Sequence, residues 1–290
     1  MAMGPIRFLA VFLVCLFDAA GGLAVTNVAC VGDSITSVRS YTDKLQRLLG
    51  MGYNVQNFGL SGTTLLKSGD SPYWNTSYYT NSHGNPTPPD IVIIMLGSND
   101  SKPWNWIYGS NYVANYTELI ATYTNLPTHP RVLLCTPPPV FGNGGFSINP
   151  GIVATNIAPT VRQLGVSLDH EVIDMHALLA GHAEWFPDNV HPDARGYTVM
   201  AAIVYTALQG DTMNGAIPSL GLTFNGTDKM VVDWPAAGAG WVLQSTAGLG
   251  GANVWLVELR LAANDGASIR FTNTLSGAGG AMFRLWRPTH

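Results

Sequence analysis

The chain has 290 residues, 47% of them hydrophobic and 11% charged, so it can bury a large core and is not a disordered polymer. Lys and Arg total 14 against 18 Asp and Glu, a formal charge of −4 that leaves no basic surplus to neutralise phosphates and argues against nucleic acid as a partner. The 32 Gly, 18 Pro, 8 Trp, 11 Tyr and 10 Phe describe a loop-rich chain with many flat faces on which a ring-shaped ligand could rest.

The N-terminus reads as an export signal. Arg7 supplies the positive region, Phe8 to Phe17 the apolar stretch, and the small residues Ala19 to Ala24 a cleavage site. Residues 1–24 are therefore expected to be a signal peptide, with a secreted mature chain starting at Val25. The apolar stretch is about half of the roughly 20 residues needed to cross a bilayer, and no other segment approaches that length, so no membrane span is expected.

From Val25 to about Gly210, short apolar runs alternate with amphipathic stretches. Strands are predicted at Thr26 to Val31, Asn54 to Asn57, Ile91 to Leu96, Arg131 to Cys135 and Glu171 to Met175. Helices are predicted at Tyr41 to Leu49, Tyr112 to Tyr123, Ile152 to Leu164 with a kink or break at Pro159, and Ala194 to Leu208. This alternation argues for βαβ units and an α/β fold in which helices cover both faces of a parallel sheet. The run Ile91-Val92-Ile93-Ile94-Met95-Leu96 has no polar alternation, as expected of a strand buried on both sides. Cys30 and Cys135 fall inside strand candidates and read as free core thiols, while Cys15 lies in the leader.

After residue 210 the composition shifts to Gly-rich, strand-like runs at Met230 to Trp234, Trp241 to Thr246, Asn253 to Leu261, Ser268 to Thr274 and Ala281 to Trp286. The domain organisation expected is a catalytic domain over 25–212 and a small all-β module over 213–290.

Four loop segments carry chemistry. The first strand ends in Gly32-Asp33-Ser34, placing a hydroxyl at the carboxyl end of a parallel strand, where doubly wound sheets bind their ligands. The second runs into Leu60-Ser61-Gly62-Thr63, and the third stops at Gly97-Ser98-Asn99-Asp100. A backbone N–H at Gly62 and an amide at Asn99 are suitable donors for an oxyanion. The last segment, Asp188-Asn189-Val190-His191, precedes the final helix and spaces an acid to orient an imidazole base. The histidines form no metal-ligand pattern, and neither a metal nor a cofactor is called for.

These four blocks resemble, in order and spacing, the SGNH or GDSL hydrolases. The resemblance covers about residues 26 to 210 and implies a flavodoxin-like three-layer α/β/α sandwich. It further implies Ser34 as nucleophile and His191 and Asp188 as the rest of a catalytic triad. The oxyanion hole it implies is formed by the Ser34 N–H, Gly62 and Asn99. Segments Ser71-Pro72-Tyr73-Trp74 and Ser101-Lys102-Pro103-Trp104-Asn105-Trp106 look like members that remove acetyl groups from carbohydrates, such as acetylxylan and sialate esterases. The expected substrate is then an acetylated carbohydrate or other small ester, with Trp74, Trp104, Trp106 and Trp185 as candidate sugar-binding faces. Two other readings stand beside this one, a lipid-directed esterase or lysophospholipase and a carbohydrate-binding surface protein.

Overall fold

A computed structural model describes residues 24–84, 87–210, 218–225, 229–236, 240–246, 256–258, 263–265, 267–274 and 282–288. The leader expected over 1–24 lies almost wholly outside the described residues.

In chain order the first half contains β1 (Thr26–Gly32), α1 (Ser34–Ser37), α2 (Ser40–Leu49), β2 (Tyr53–Gly59), α3 (Ser77–Gly84), β3 (Ile91–Met95), α4 (Pro103–Trp106) and α5 (Tyr112–Thr124). There follow β4 (Arg131–Cys135), α6 (Pro150–Ile152), α7 (Ala158–Leu168), β5 (Glu171–Ile173), α8 (Met175–Leu179) and α9 (Ala194–Gln209). The strands form one parallel sheet in the order β2-β1-β3-β4-β5.

Successive side chains of a strand leave the sheet on opposite faces, and the buried residues sort accordingly. Val28, Cys30, Ile93, Met95, Leu133 and Cys135 enter one apolar cluster with Tyr41 and Leu45 of α2 and Val199 to Val204 of α9. Ala29, Val31, Val92, Ile94, Val132 and Leu134 enter the other, with Tyr112, Tyr116 and Tyr123 of α5 and Val161 and Leu164 of α7. The result is the three-layer α/β/α sandwich, with Cys30 and Cys135 as buried free thiols.

Two boundaries differ from expectation for local reasons. The last strand stops at Ile173 because Asp174 caps the next helix, its side chain accepting the Ala177 N–H. The predicted Ile152 to Leu164 helix is not α-helical throughout. Residues Val153–Ile157 form a wide π-type turn whose helical backbone runs on into α7, and Pro159, which lacks an N–H, follows directly after that turn.

The C-terminal region is antiparallel. It holds β6 (Gly221–Asn225), β7 (Lys229–Pro235), β8 (Val242–Thr246), β9 (Leu256–Val257), β10 (Ala263–Asn264), β11 (Ser268–Thr274) and β12 (Met282–Trp286). One sheet runs β10-β11-β7-β6 and another β12-β8-β9. Most of the predicted Asn253 to Leu261 run falls outside the described residues. Val232, Trp234, Val242, Ile269 and Phe271 belong to the same apolar cluster as α2 and α9, so these sheets pack onto the outer side of that helix layer. The Asn264 side chain also donates to the Leu48 carbonyl oxygen at 2.5 Å.

Candidate active site

The sheet order reverses between β1 and β3, and loops leaving the carboxyl ends of adjacent strands splay apart there to form a crevice. Three of the four motif segments leave this edge. The β1 and β2 loops are tied by Leu60 N–H to the Gly32 carbonyl at 3.0 Å.

Asp33 follows β1 and caps α1, its Oδ1 accepting the Ile35 N–H at 3.0 Å. Burial raises its pKa to about 6, against the opposing effects of that N–H, the His191 imidazole and Ser98. Ser34 is the first residue of α1, so its own N–H has no helical acceptor and points outward with the positive end of the turn. The Ser34 hydroxyl lies 2.9 Å from His191 Nε2, and His191 Nδ1 lies 2.8 Å from Asp188 Oδ2. Ser34 thus joins a residue 157 positions away, and the three side chains form one hydrogen-bonded series across the mouth of the sheet.

The Asp188 end of that series is fixed by backbone. Its Oδ1 accepts N–H bonds from Val190 at 3.0 Å and His191 at 2.6 Å. Both donors reach one oxygen because Asn189 takes a left-handed conformation, φ 68°, which Asn tolerates better than most residues. Partial burial pushes the Asp188 carboxyl up, but these two N–H groups and the His191 ring outweigh it and hold the carboxyl below the usual carboxylate range.

Asn99, 4% exposed, donates from Nδ2 to the Thr63 carbonyl at 3.2 Å, which joins the β3 loop to the Gly62 loop and leaves a second amide hydrogen. Gly62 has φ 82°, a conformation that a side chain would strain, and open space where a Cβ would stand. Among the described residues its N–H makes no hydrogen bond.

The neighbouring Asp100 is fully buried and accepts N–H bonds from Leu65 at 3.0 Å and Leu66 at 2.7 Å, anchoring the segment after Gly62. Burial pushes its pKa up to about 7 against those donors, and the Asp33 charge adds to the rise. A carboxyl whose pKa is higher folded than unfolded, about 3.9, binds its proton more tightly in the folded chain. Its stabilising contribution is complete below about pH 4 and is lost as pH rises through 7. The melting temperature is expected to fall from about pH 5 to pH 8, and to fall less in Asp100→Asn, whose side chain does not titrate. Parallel thermal melts of the two proteins check this, and equal falls would place the titration elsewhere.

The tryptophans divide. Trp104 is 48% exposed, its Nε1 donating to Asp70 Oδ2 at 2.8 Å and the Lys102 ammonium lying over its ring at 5.9 Å from the centroid. Trp74 is half-buried, bonded through Nε1 to the Leu65 carbonyl at 2.7 Å and covered by the Lys67 ammonium. Trp106 is half-buried against Tyr112. The expectation for Trp185 does not hold, because it is 5% exposed and stacked 3.6 Å from the His182 ring, with Trp286 edge-on to it. Its indole faces are occupied by protein. It supports the His191 loop from behind, its carbonyl accepting the Asp193 N–H at 2.7 Å.

One residue at the site was not foreseen. Phe146, in the loop after β4, meets the His191 imidazole edge-on at 5.1 Å between ring centroids. The signal available was an aromatic in the Gly-rich run Gly142-Asn143-Gly144-Gly145-Phe146, at the carboxyl end of a parallel strand.

The fold is a flavodoxin-like parallel sheet with a serine, an imidazole and a carboxylate bonded in series at its switch point. A family model described as GDSL-like lipase/acylhydrolase matches residues 30–199. The chain belongs to that family. An acetylxylan esterase of Xylanibacter ruminicola is 34% identical over 209 residues, which make up 63% of this chain and 43% of that protein, so the chain spans less than half of that relative's length. Two solved structures share the fold. A putative arylesterase of Agrobacterium tumefaciens str. C58 has a TM-score of 0.53 at 24% identity, over 64% of this chain and 99% of that one. A carbohydrate acetylesterase family member of Sinorhizobium meliloti has a TM-score of 0.52 at 25% identity, over 64% and 98%.

Proposed function

We propose that this hydrolase is a serine esterase that removes acetyl groups from carbohydrate through an acyl-enzyme, and that it is exported to work outside the cell. The observation that carries the mechanism is the 2.9 Å approach of the Ser34 hydroxyl to His191 Nε2, with Asp188 on the opposite ring nitrogen. Asp188 accepts a hydrogen bond from Nδ1–H and so keeps the ring hydrogen on that nitrogen, leaving the Nε2 lone pair free to take the Ser34 proton as the oxygen attacks the ester carbonyl. Negative charge on the carbonyl oxygen is met by the N–H groups of Ser34 and Gly62 and by the Asn99 amide hydrogen not committed to Thr63. As that intermediate collapses, His191 returns the proton to the departing alcohol. Water, deprotonated by the same imidazole, then frees the acid.

The choice of acyl group and alcohol is supported by the acetylxylan esterase relative and by the exposed Trp104. Turnover of acetyl, butyryl and octanoyl p-nitrophenyl esters is expected to fall steeply with chain length. Acetate release from acetylated xylan, glucomannan, sialic acid and peptidoglycan, with Ser34→Ala as blank, identifies the alcohol. Preference for octanoyl ester would replace this reading with a lipid-directed one.

A further inference from the structure

The loop between β4 and α6 holds an aromatic ring beside the imidazole in a way that local packing does not demand. Phe146 is 62% exposed, and its ring stands edge-on to His191 with planes at 71°. Phe146 and the following Ser147 both have positive φ, 55° and 63°, a region that bulky side chains rarely enter and that persists where surrounding contacts impose it. Those contacts are present. The Phe141 N–H donates to the Asn189 carbonyl and the Ile148 N–H to the Gly145 carbonyl, each at 2.9 Å, and the Asn149 N–H donates to Ser101 Oγ at 3.0 Å. Ile148 and Val153 share a small apolar cluster with Val190 of the imidazole loop. At Gly145 a Cβ would stand 2.6 Å from the Asp188 carbonyl oxygen, so glycine is what allows the two loops to approach. The loop is thus bonded to both the Asn99 turn and the Asp188–His191 turn, and it presents Phe146 with most of its ring open.

Position assigns the role. During acyl transfer the oxyanion faces Gly62 and Asn99, while the departing oxygen must face His191 Nε2 to receive its proton. A group beside the imidazole therefore lies along the alcohol and not along the acyl chain. We infer that Phe146 is a specificity-determining platform for the leaving alcohol, its open face taking a flat ring, either a pyranose with axial C–H groups or an aryl group. The inference rests on the serine-esterase reading above.

The test compares three acetates with different alcohols, ethyl acetate, phenyl acetate and an acetylated xylo-oligosaccharide, which all pass through the same acetyl-enzyme. Because kcat/KM reports acylation, it isolates contacts with the alcohol. Phe146→Ala is expected to lower kcat/KM for the ring-bearing esters by about three- to tenfold, and for ethyl acetate by less than about twofold, with Phe146→Tyr near wild type. Loss on the sugar ester, the aryl ester or both supports the inference and identifies the alcohol. An equal loss on all three esters would mean that the ring only positions His191, and no loss on either ring ester would leave it without a role; both overturn it. Wild-type protein that cleaves phenyl acetate but not the sugar ester would refute the carbohydrate reading, while the phenyl and ethyl comparison still decides the role of Phe146.

Discussion

Ser34→Ala is expected to lower kcat by about 10⁴- to 10⁶-fold on any acetyl ester, with the melting temperature close to that of the wild type. The size of the loss follows from the geometry. The Ser34 hydroxyl is the group hydrogen-bonded to the imidazole, and alanine offers the carbonyl no nucleophile. What remains is the cradle proposed for negative charge, since the Ser34 N–H, the Gly62 N–H and the Asn99 amide survive the substitution and can still assist direct attack by water. The fold is spared because the structural bonds of Ser34 are made by its backbone. Its carbonyl oxygen accepts the Val38 N–H at 3.3 Å and the Ser37 hydroxyl at 3.1 Å, and alanine keeps both. Alanine is also a good residue in the first turn of a helix. Burst and steady-state measurements on p-nitrophenyl acetate read the result. A rate near wild type from a purified variant would end the assignment of Ser34 as nucleophile.

Much of this arrangement was legible in the sequence because it is written in local patterns. β1, β3 and β4 are short apolar runs ended by turn residues, and a strand buried on both faces needs little else to be seen. Three of the motif segments were legible because each sits where such a run stops, and the fourth because it stands just before the last helix. What could not be read depends on contacts between distant segments. Helix α3, Ser77–Gly84, is polar around most of its circumference and shows no apolar stripe. β6 carries exposed Leu222 and Phe224, so its side-chain alternation does not mark a buried face; its pairing with β7 is what makes it a strand. Trp185 and Trp104 are the same residue type in similar loop contexts, yet His182 and Trp286 cover the first while the second stays exposed. Phe146 was hidden for a related reason. Its place beside His191 is set in part by bonds from the loop to the Asn189 carbonyl and the Ser101 hydroxyl, which only the folded chain brings together.

The second large effect concerns Asp188, and it separates the orientation of the imidazole from its presence. In Asp188→Asn the side-chain oxygen can keep the Oδ1 position and still accept the Val190 and His191 N–H bonds, so the turn is preserved. The amide nitrogen then replaces Oδ2, 2.8 Å from His191 Nδ1. A donor in that position cannot accept the Nδ1 proton. The neutral imidazole responds by carrying its hydrogen on Nε2 instead, and Nε2 now presents a donor to the Ser34 hydroxyl when catalysis requires an acceptor. Charge matters as well in the proposed mechanism, because a carboxylate whose pKa is lowered by two backbone donors and the His191 ring would stabilise an imidazolium formed at each transfer, and an amide would not. The expected loss in kcat is about 10⁴-fold with little change in KM, since ester binding does not use the far side of the ring. A structure or amide exchange data showing an unchanged turn, together with a rate within tenfold of wild type, would mean that His191 does not need Asp188 to choose its tautomer. A loss of the expected size with the turn intact would assign Asp188 its orienting role independently of the test at Ser34.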